Sequence, residues 1–396
     1  MEAFYRTHTN LVEHITAPLR RSLMDEIEWN DRLIGIKGAR GVGKTTFLLQ
    51  YAKEHFGADD PRCLYVNMNN FYFQGRGIAD FAGDFIKRGG EVLLIDQVFK
   101  QPNWSQELRK CYDRYPNLRI VFTGSSVMRL KQENPELNGI CQSYNLRGFS
   151  FREFLNLQHR LSLKPYTLDE ILKDHEQIAK EISQTVNPGK HLKDYLHHGF
   201  YPFFLEHRNY EENLLKTMNM MIEVDVLLIR QIELKYLTKI KKLYYLLALE
   251  TGKSPNVSKL AETIDTSRAT VMNYIKYLAD ARLLNIIYHQ GSVFPKKPAM
   301  VVVNNPNLIY TVYPRNFGDR EILNSFFINQ LRKDHTVNKE RATDAYRIDG
   351  ETSVRISAEG EGESRARGKK NYYTASSGLV VGKGRKIPLW LFGFLY

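Results

Sequence analysis

The sequence predicts an α/β fold built on a parallel sheet, and three observations predict it. Apolar runs of strand length alternate with helical stretches, one run meets a glycine-rich loop that opens a helix, and another ends in an aspartate. Strands are expected at 33–36, 64–68, 92–95, 119–123 and 144–148, with ligand at their carboxyl ends. At 396 residues the chain is too long for one ordinary core, so two or three domains are expected. Hydrophobic residues at 43% and charged residues at 25% are the proportions of a globular chain and not of a disordered or fibrous one.

The first strand, Leu33 to Ile36, runs into GARGVGKTT, which completes the pattern G-x-x-x-x-G-K-[ST] in the strand-then-helix context that gives it meaning. Gly38, Gly41 and Gly43 permit backbone angles that point successive N–H groups inward. With Ala39, Arg40 and Val42 they would form a cradle for phosphate oxygens at a helix N-terminus. Lys44 would reach the β- and γ-phosphates of ATP, Thr45 would offer its hydroxyl to Mg2+, and Thr46 follows as a further binding candidate. Val92 to Ile95 are continuously apolar, as in a strand buried on both faces, and put Asp96 at the strand end to hold Mg2+ through water.

The next position, normally a glutamate that polarises the attacking water, is Gln97. An amide keeps glutamate's shape but accepts no proton, so ATP binding with slow hydrolysis is expected. An introduced substitution that traps the ATP state and a natural chain using nucleotide as a switch both account for it. The intact remainder of the site favours the former. The strand RIVFTGSS ends in Thr123, Gly124, Ser125 and Ser126, where Ser125 is the candidate to sense the γ-phosphate.

GARGVGKTT, LLIDQ, VFTGSS and LRGFSFREFL, in this order and spacing, give the first half a resemblance to a prokaryotic AAA-type (AAA+) ATPase family. HHGFYPFFLE at 197–206 and EILNSFFINQL at 321–331 look like segments of that family's C-terminal half. The resemblance implies a P-loop NTPase sheet with a helical lid, then a winged helix-turn-helix, then a degenerate restriction-endonuclease-like α/β domain. Divided so, the chain has an ATPase core at 1–155, a lid and connecting bundle at 156–235, the winged helix at 236–300 and the nuclease-like domain at 301–396. It also implies a homo-oligomer, a ring being its usual form, in which a neighbour's arginine completes the ATP site. Arg129, Arg147 and Arg152 are the candidates, with Arg147 preferred because it lies closest to the end of the sheet. NGICQSY before LRGFSF lacks the arginine often found there in relatives.

Pro188 and Gly189 interrupt the helical stretch at 151–235 and read as a hinge or a surface turn. From Lys239 three short helical patterns and an apolar strand have the form of a winged helix-turn-helix. Ser258 to Ile264 is the supporting helix and Ser267 to Ala279 the recognition helix, with Ala269 among its inward positions. Its exposed DNA-contact candidates are Ser267, Arg268, Thr270, Asn273, Tyr274 and Lys276, with Lys296 and Lys297 on the wing for backbone phosphate. The net charge of +12 favours DNA, duplex or branched, read by backbone and shape, although winged helices also dock proteins. Beyond Gly318, Asp349 and Glu351 are possible relics of a nuclease's first acidic position, but no clean Glu-x-Lys follows. Glu359, Glu361 and Glu363 read as a solvated run, and RARGKK at 365–370 as a basic loop. The tail from Ile387 reads as a buried strand.

Cys63, Cys111 and Cys141 are unclustered, so neither a disulfide framework nor a zinc cage is indicated. The N-terminus lacks a signal-type apolar region and no window is long enough to span a membrane. A cytoplasmic location is expected. The leading reading is an ATPase that engages or remodels DNA. A nucleotide switch with a protein partner and an ATP-driven nuclease stand as alternatives.

Overall fold

The computed structural model describes residues 1–128, 130, 132–206, 209–312, 318–361 and 371–396. It divides into two compact units, Met1–Gly148 and Phe149–Tyr396. The first is an α/β unit around a five-stranded sheet: β1 Leu33–Gly38, β2 Cys63–Asn67, β3 Val92–Asp96, β4 Arg119–Ser125 and β5 Gln142–Asn145. The order is β2-β3-β4-β1-β5 and every pairing is parallel. Strands with helices packed on both faces lose their alternation, which is why β3 is buried at all five positions. The last strand lies at 142–145, not 144–148, and leaves Leu146 to Gly148 as the segment by which the chain departs the unit.

β1 and β4 are neighbours at the centre, with Gly38 opposite Ser125, so the glycine-rich loop leaves the sheet beside the end of β4. β3 lies on β4's other side, with Asn67 of β2 opposite Asp96. This order brings together at the strands' carboxyl ends residues as far apart in the chain as Gly38 and Ser125.

The second unit has helices at Phe151–His159, Leu168–Thr185 and Pro188–Asp194, then three at Leu237–Leu249, Val257–Thr263 and Arg268–Asp280. An antiparallel pair follows, β6 Leu284–Ile287 with β7 Met300–Val303. The chain ends in a mixed sheet ordered β12-β11-β10-β9-β8. Its strands are β8 Val337–Lys339, β9 Tyr346–Ile348, β10 Thr352–Ser357, β11 Tyr372–Ser376 and β12 Lys386–Pro388. β8, β9 and β10 pair antiparallel, and β10, β11 and β12 parallel.

One core joins the beginning and end of this unit. Phe151, Phe154, Ile171 and Ile178 pack in the same cluster as Phe326, Phe327, Trp390 and Phe394. Two expectations are corrected here. Pro188 and Gly189 form no hinge: Pro188 occupies the first turn of a helix, where its missing N–H costs nothing, and Asn187 caps that helix by accepting from Lys190 N–H. The tail is not a strand beyond Pro388. Proline cannot donate to the ladder, and Leu389–Phe394 turn into a fully buried 3-10 helix.

Candidate functional site

The loop between β1 and the Lys44–His55 helix takes its shape from glycine. Gly41 and Gly43 have φ of 84° and 96°, in the left-handed region where a side chain is strained. Gly38 is required for space, because a Cβ there would lie 2.4 Å from the Leu146 carbonyl oxygen. Lys44 follows Gly43 directly as the first residue of the helix, and its Nζ donates to the Gly38 and Ala39 carbonyls at 2.9 and 2.8 Å. The ammonium is thus held over the loop whose N–H groups would face an anion.

Asp96 is 1% exposed at the end of β3 and accepts from four side chains. Thr45 Oγ1, Tyr65 Oη and Asn67 Nδ2 donate to Oδ2 at 2.7, 2.9 and 3.3 Å, and Thr123 Oγ1 donates to Oδ1. This ring of donors offsets the cost of burying a carboxylate. Burial first, and then the neighbouring Asp96 charge, raise the Tyr65 hydroxyl well above the ordinary tyrosine range, which keeps it a donor. The Thr45–Asp96 contact brings two hard oxygen donors to the mouth of the loop. That donor set fits a magnesium ion.

Gln97 has φ 56° and ψ 47°, and its N–H donates to Thr123 Oγ1 at 2.9 Å. Thr123 therefore links the carboxylate of Asp96 to the backbone of the next residue. Ser125 is buried beside the loop, and its Oγ accepts the Val127 N–H at 3.3 Å. Tyr65 and Asn67 escaped the sequence reading, and Thr123 was named only as part of the polar end of its strand. Their signal is strand register: Tyr65 and Asn67 alternate onto one face of β2, and β2 lies next to β3.

The three arginine candidates fare differently. Arg147 is half-buried just after β5. Arg152 is withdrawn as a candidate, because it is buried and donates to the Tyr396 and Leu163 carbonyls, both at 2.9 Å. Arg129 lies outside the described residues.

In the second unit, Arg268, Asn273, Lys296 and Lys297 are exposed, and Thr270 is half-buried. Tyr274 is corrected: it is 6% exposed and faces inward, whereas Ala269, expected inward, faces solvent. The helix starts at Arg268 with Ser267 as its cap, which sets the phase of the apolar stripe through Val271, Ile275 and Leu278. Lys276 is half-buried and paired with Asp280, four residues on.

Asp349 is engaged in a turn: Oδ1 accepts from Thr336 N–H at 2.7 Å and Oδ2 contacts His335 Nδ1 at 2.6 Å, which closes the turn before β8. Among the described residues no group of three or more His, Cys, Asp and Glu is arranged to hold a metal. Glu359 and Glu361 are exposed, while Glu363 and RARGKK fall outside the described residues. Among the described residues no helix is long and apolar enough to cross a membrane.

Residues 30–155 match the model of the AAA domain family. The AAA match takes in all five strands of the first unit, the glycine loop and Asp96. A second match covers residues 189–298, to a domain of unknown function, DUF8612. The uncharacterized protein MJ1637 of Methanocaldococcus jannaschii is 29% identical over 290 residues, 69% of this chain and 60% of that protein. MJ1544 of the same organism is 26% identical over 283 residues, 64% of this chain and 55% of that protein. The chain thus matches under two thirds of the length of these curated relatives. Solved structures similar to it include a RuvB of Thermotoga maritima, at 15% identity and TM-score 0.29, covering 80% of this chain and 96% of that one. The ORC1 protein of Aeropyrum pernix, solved in complex with DNA, aligns at 12% identity and TM-score 0.31, covering 81% and 93%.

Proposed function

We propose that the first unit binds ATP with magnesium and that the chain uses nucleotide state to engage or remodel duplex or branched DNA as a homo-oligomer, with hydrolysis slowed by Gln97. The carrying observation is the 2.7 Å hydrogen bond between Thr45 and Asp96 at the mouth of the glycine loop. A hydroxyl and a carboxylate meet where a phosphate-bound magnesium needs oxygen ligands, beside backbone N–H groups and an ammonium suited to phosphate. When bound, magnesium would supply charge neutralisation to the β- and γ-phosphates. The protein's own residues do the rest: Lys44 holds the phosphates, Thr123 fixes the Asp96 carboxylate and the Gln97 N–H, and Ser125 stands beside the loop to sense the terminal phosphate. Gln97 orients a water by hydrogen bonding but takes no proton from it.

DNA engagement is supported by charge and its placement. Residues 236–300 carry ten basic against four acidic side chains, leaving +6, half of the chain's net charge. The exposed Arg268 and Asn273 stand on one helix, with Lys296 and Lys297 on the β6–β7 connection. Such a set favours phosphate contacts over base reading. The test is equilibrium binding of magnesium–ATP and of branched and linear duplex DNA across a salt series. The reading requires nucleotide binding that Lys44→Ala weakens, and a logarithm of DNA affinity that falls linearly with the logarithm of salt. DNA affinity absent at every salt concentration would move the reading to a nucleotide switch with a protein partner.

A further inference from the structure

The first unit holds a buried cation whose role the nucleotide site leaves unexplained. Arg21 is 8% exposed and precedes the sheet. Its Nη1 donates to the Val42 carbonyl at 3.4 Å, and its Nη2 donates to the Arg147 and Gly148 carbonyls at 2.8 and 3.3 Å. One guanidinium therefore spans the middle of the glycine loop and the segment by which the chain leaves the unit. That segment touches the loop elsewhere too. Leu146 N–H donates to the Lys37 carbonyl at 2.7 Å, and the Leu146 oxygen fills the space a Gly38 Cβ would need.

We infer that Arg21 is a positioning residue that aims the phosphate loop and ties its state to the exit segment at residues 146–148; the inference rests on the nucleotide reading above. Val42 C=O and Gly43 N–H belong to one planar trans peptide and point in opposite directions. A donor holding the carbonyl outward turns the N–H inward, toward the phosphates. This peptide turns about Val42 ψ and Gly43 φ, and Gly43, at a φ of 96°, has no Cβ to restrict that turn, so an external anchor sets its direction. The guanidinium also places fixed positive charge behind an anion site. Its fork geometry holds the loop carbonyl and two exit carbonyls at once, which an ammonium does not reproduce. A shift of the Val42–Gly43 peptide on nucleotide binding is therefore felt at Arg147 and Gly148.

The test is Mant-ATP binding with magnesium to the full chain, to Arg21→Met and to Arg21→Lys, with amide hydrogen exchange at 146–148 read with and without nucleotide. In the unsubstituted chain nucleotide slows exchange at 146–148. Arg21→Met binds about tenfold more weakly and loses that response. Arg21→Lys regains part of the affinity, because charge remains behind the loop, but not the exchange response. Arg21→Met affinity within about twofold of the unsubstituted chain, or an exchange response surviving in both variants, overturns the inference. If Arg21→Met does not fold, Arg21→Lys decides: unsubstituted affinity together with an unsubstituted exchange response overturns it. An unsubstituted chain that binds no nucleotide removes both this inference and the reading beneath it, whereas binding that is indifferent to Arg21 removes this inference alone.

Discussion

Asp96 concentrates the chemistry of the site at the scale of one residue, since its two oxygens organise Thr45, Tyr65, Asn67 and Thr123. Asp96→Asn puts an amide N–H among those donors. It is expected to cost about 1–3 kcal/mol of stability by chemical denaturation and to remove the magnesium dependence of ATP affinity. Lys44→Ala is expected to weaken ATP binding by about 10- to 100-fold in equilibrium titration, the range of a charged hydrogen bond lost from a phosphate. His8 adds a pH dependence. It is buried in the Glu2–His14 helix, and its Nδ1 accepts the Tyr65 N–H at 3.0 Å. Burial, opposed by Asp59, lowers its pKa below the ordinary 6.5. The unfolded chain then binds the proton more readily than the folded one. His8 therefore contributes stability that is fully present above pH 6.5 and is lost as pH falls through the lower folded value. Urea unfolding of the first unit at pH 7.5 and 5.5 checks this, and His8→Gln is expected to flatten the difference.

Among elements, the phosphate loop was legible because its constraints are local: the glycines, Lys44 and Thr45 fall within eight consecutive positions after an apolar run. Asp96 was legible for the same reason, at the end of an uninterrupted apolar strand. Tyr65 and Asn67, and the link from Thr123 to Asp96, were not, because their convergence depends on strand order, which linear spacing does not reveal. The Arg268–Asp280 helix shows how a small phase error propagates. Reading Tyr274 outward and Ala269 inward reversed two positions of a stripe that Val271, Ile275 and Leu278 fix. Ser267 marks its true start, since Oγ accepts the Thr270 N–H at 3.0 Å. Ser267→Ala is expected to cost about 1 kcal/mol in thermal or urea unfolding. If Lys296 and Lys297 each contact a phosphate, their joint replacement by alanine lowers the slope of log affinity against log salt by about 1.8, with little change in sequence preference.

For the whole molecule, the chain divides into an α/β unit that carries the glycine loop and a second unit with its own core. The sequence led to a lid, a winged helix and a nuclease-like domain as successive pieces. Phe151, Phe154 and Ile171 share a core with Trp390 and Phe394, a pairing more than two hundred residues apart that no local pattern encodes. Trp390→Ala is expected to destabilise the second unit by about 3–5 kcal/mol while leaving magnesium–ATP affinity unchanged. The measurement that bears most directly on the whole account is ATP turnover by this chain beside Gln97→Glu, with and without branched and linear duplex DNA. A nucleotide site limited by its missing carboxylate and coupled to DNA predicts that glutamate raises turnover by about 10²-fold or more and that DNA raises it further. Bound ATP that neither form hydrolyses, with no response to DNA, would contradict it.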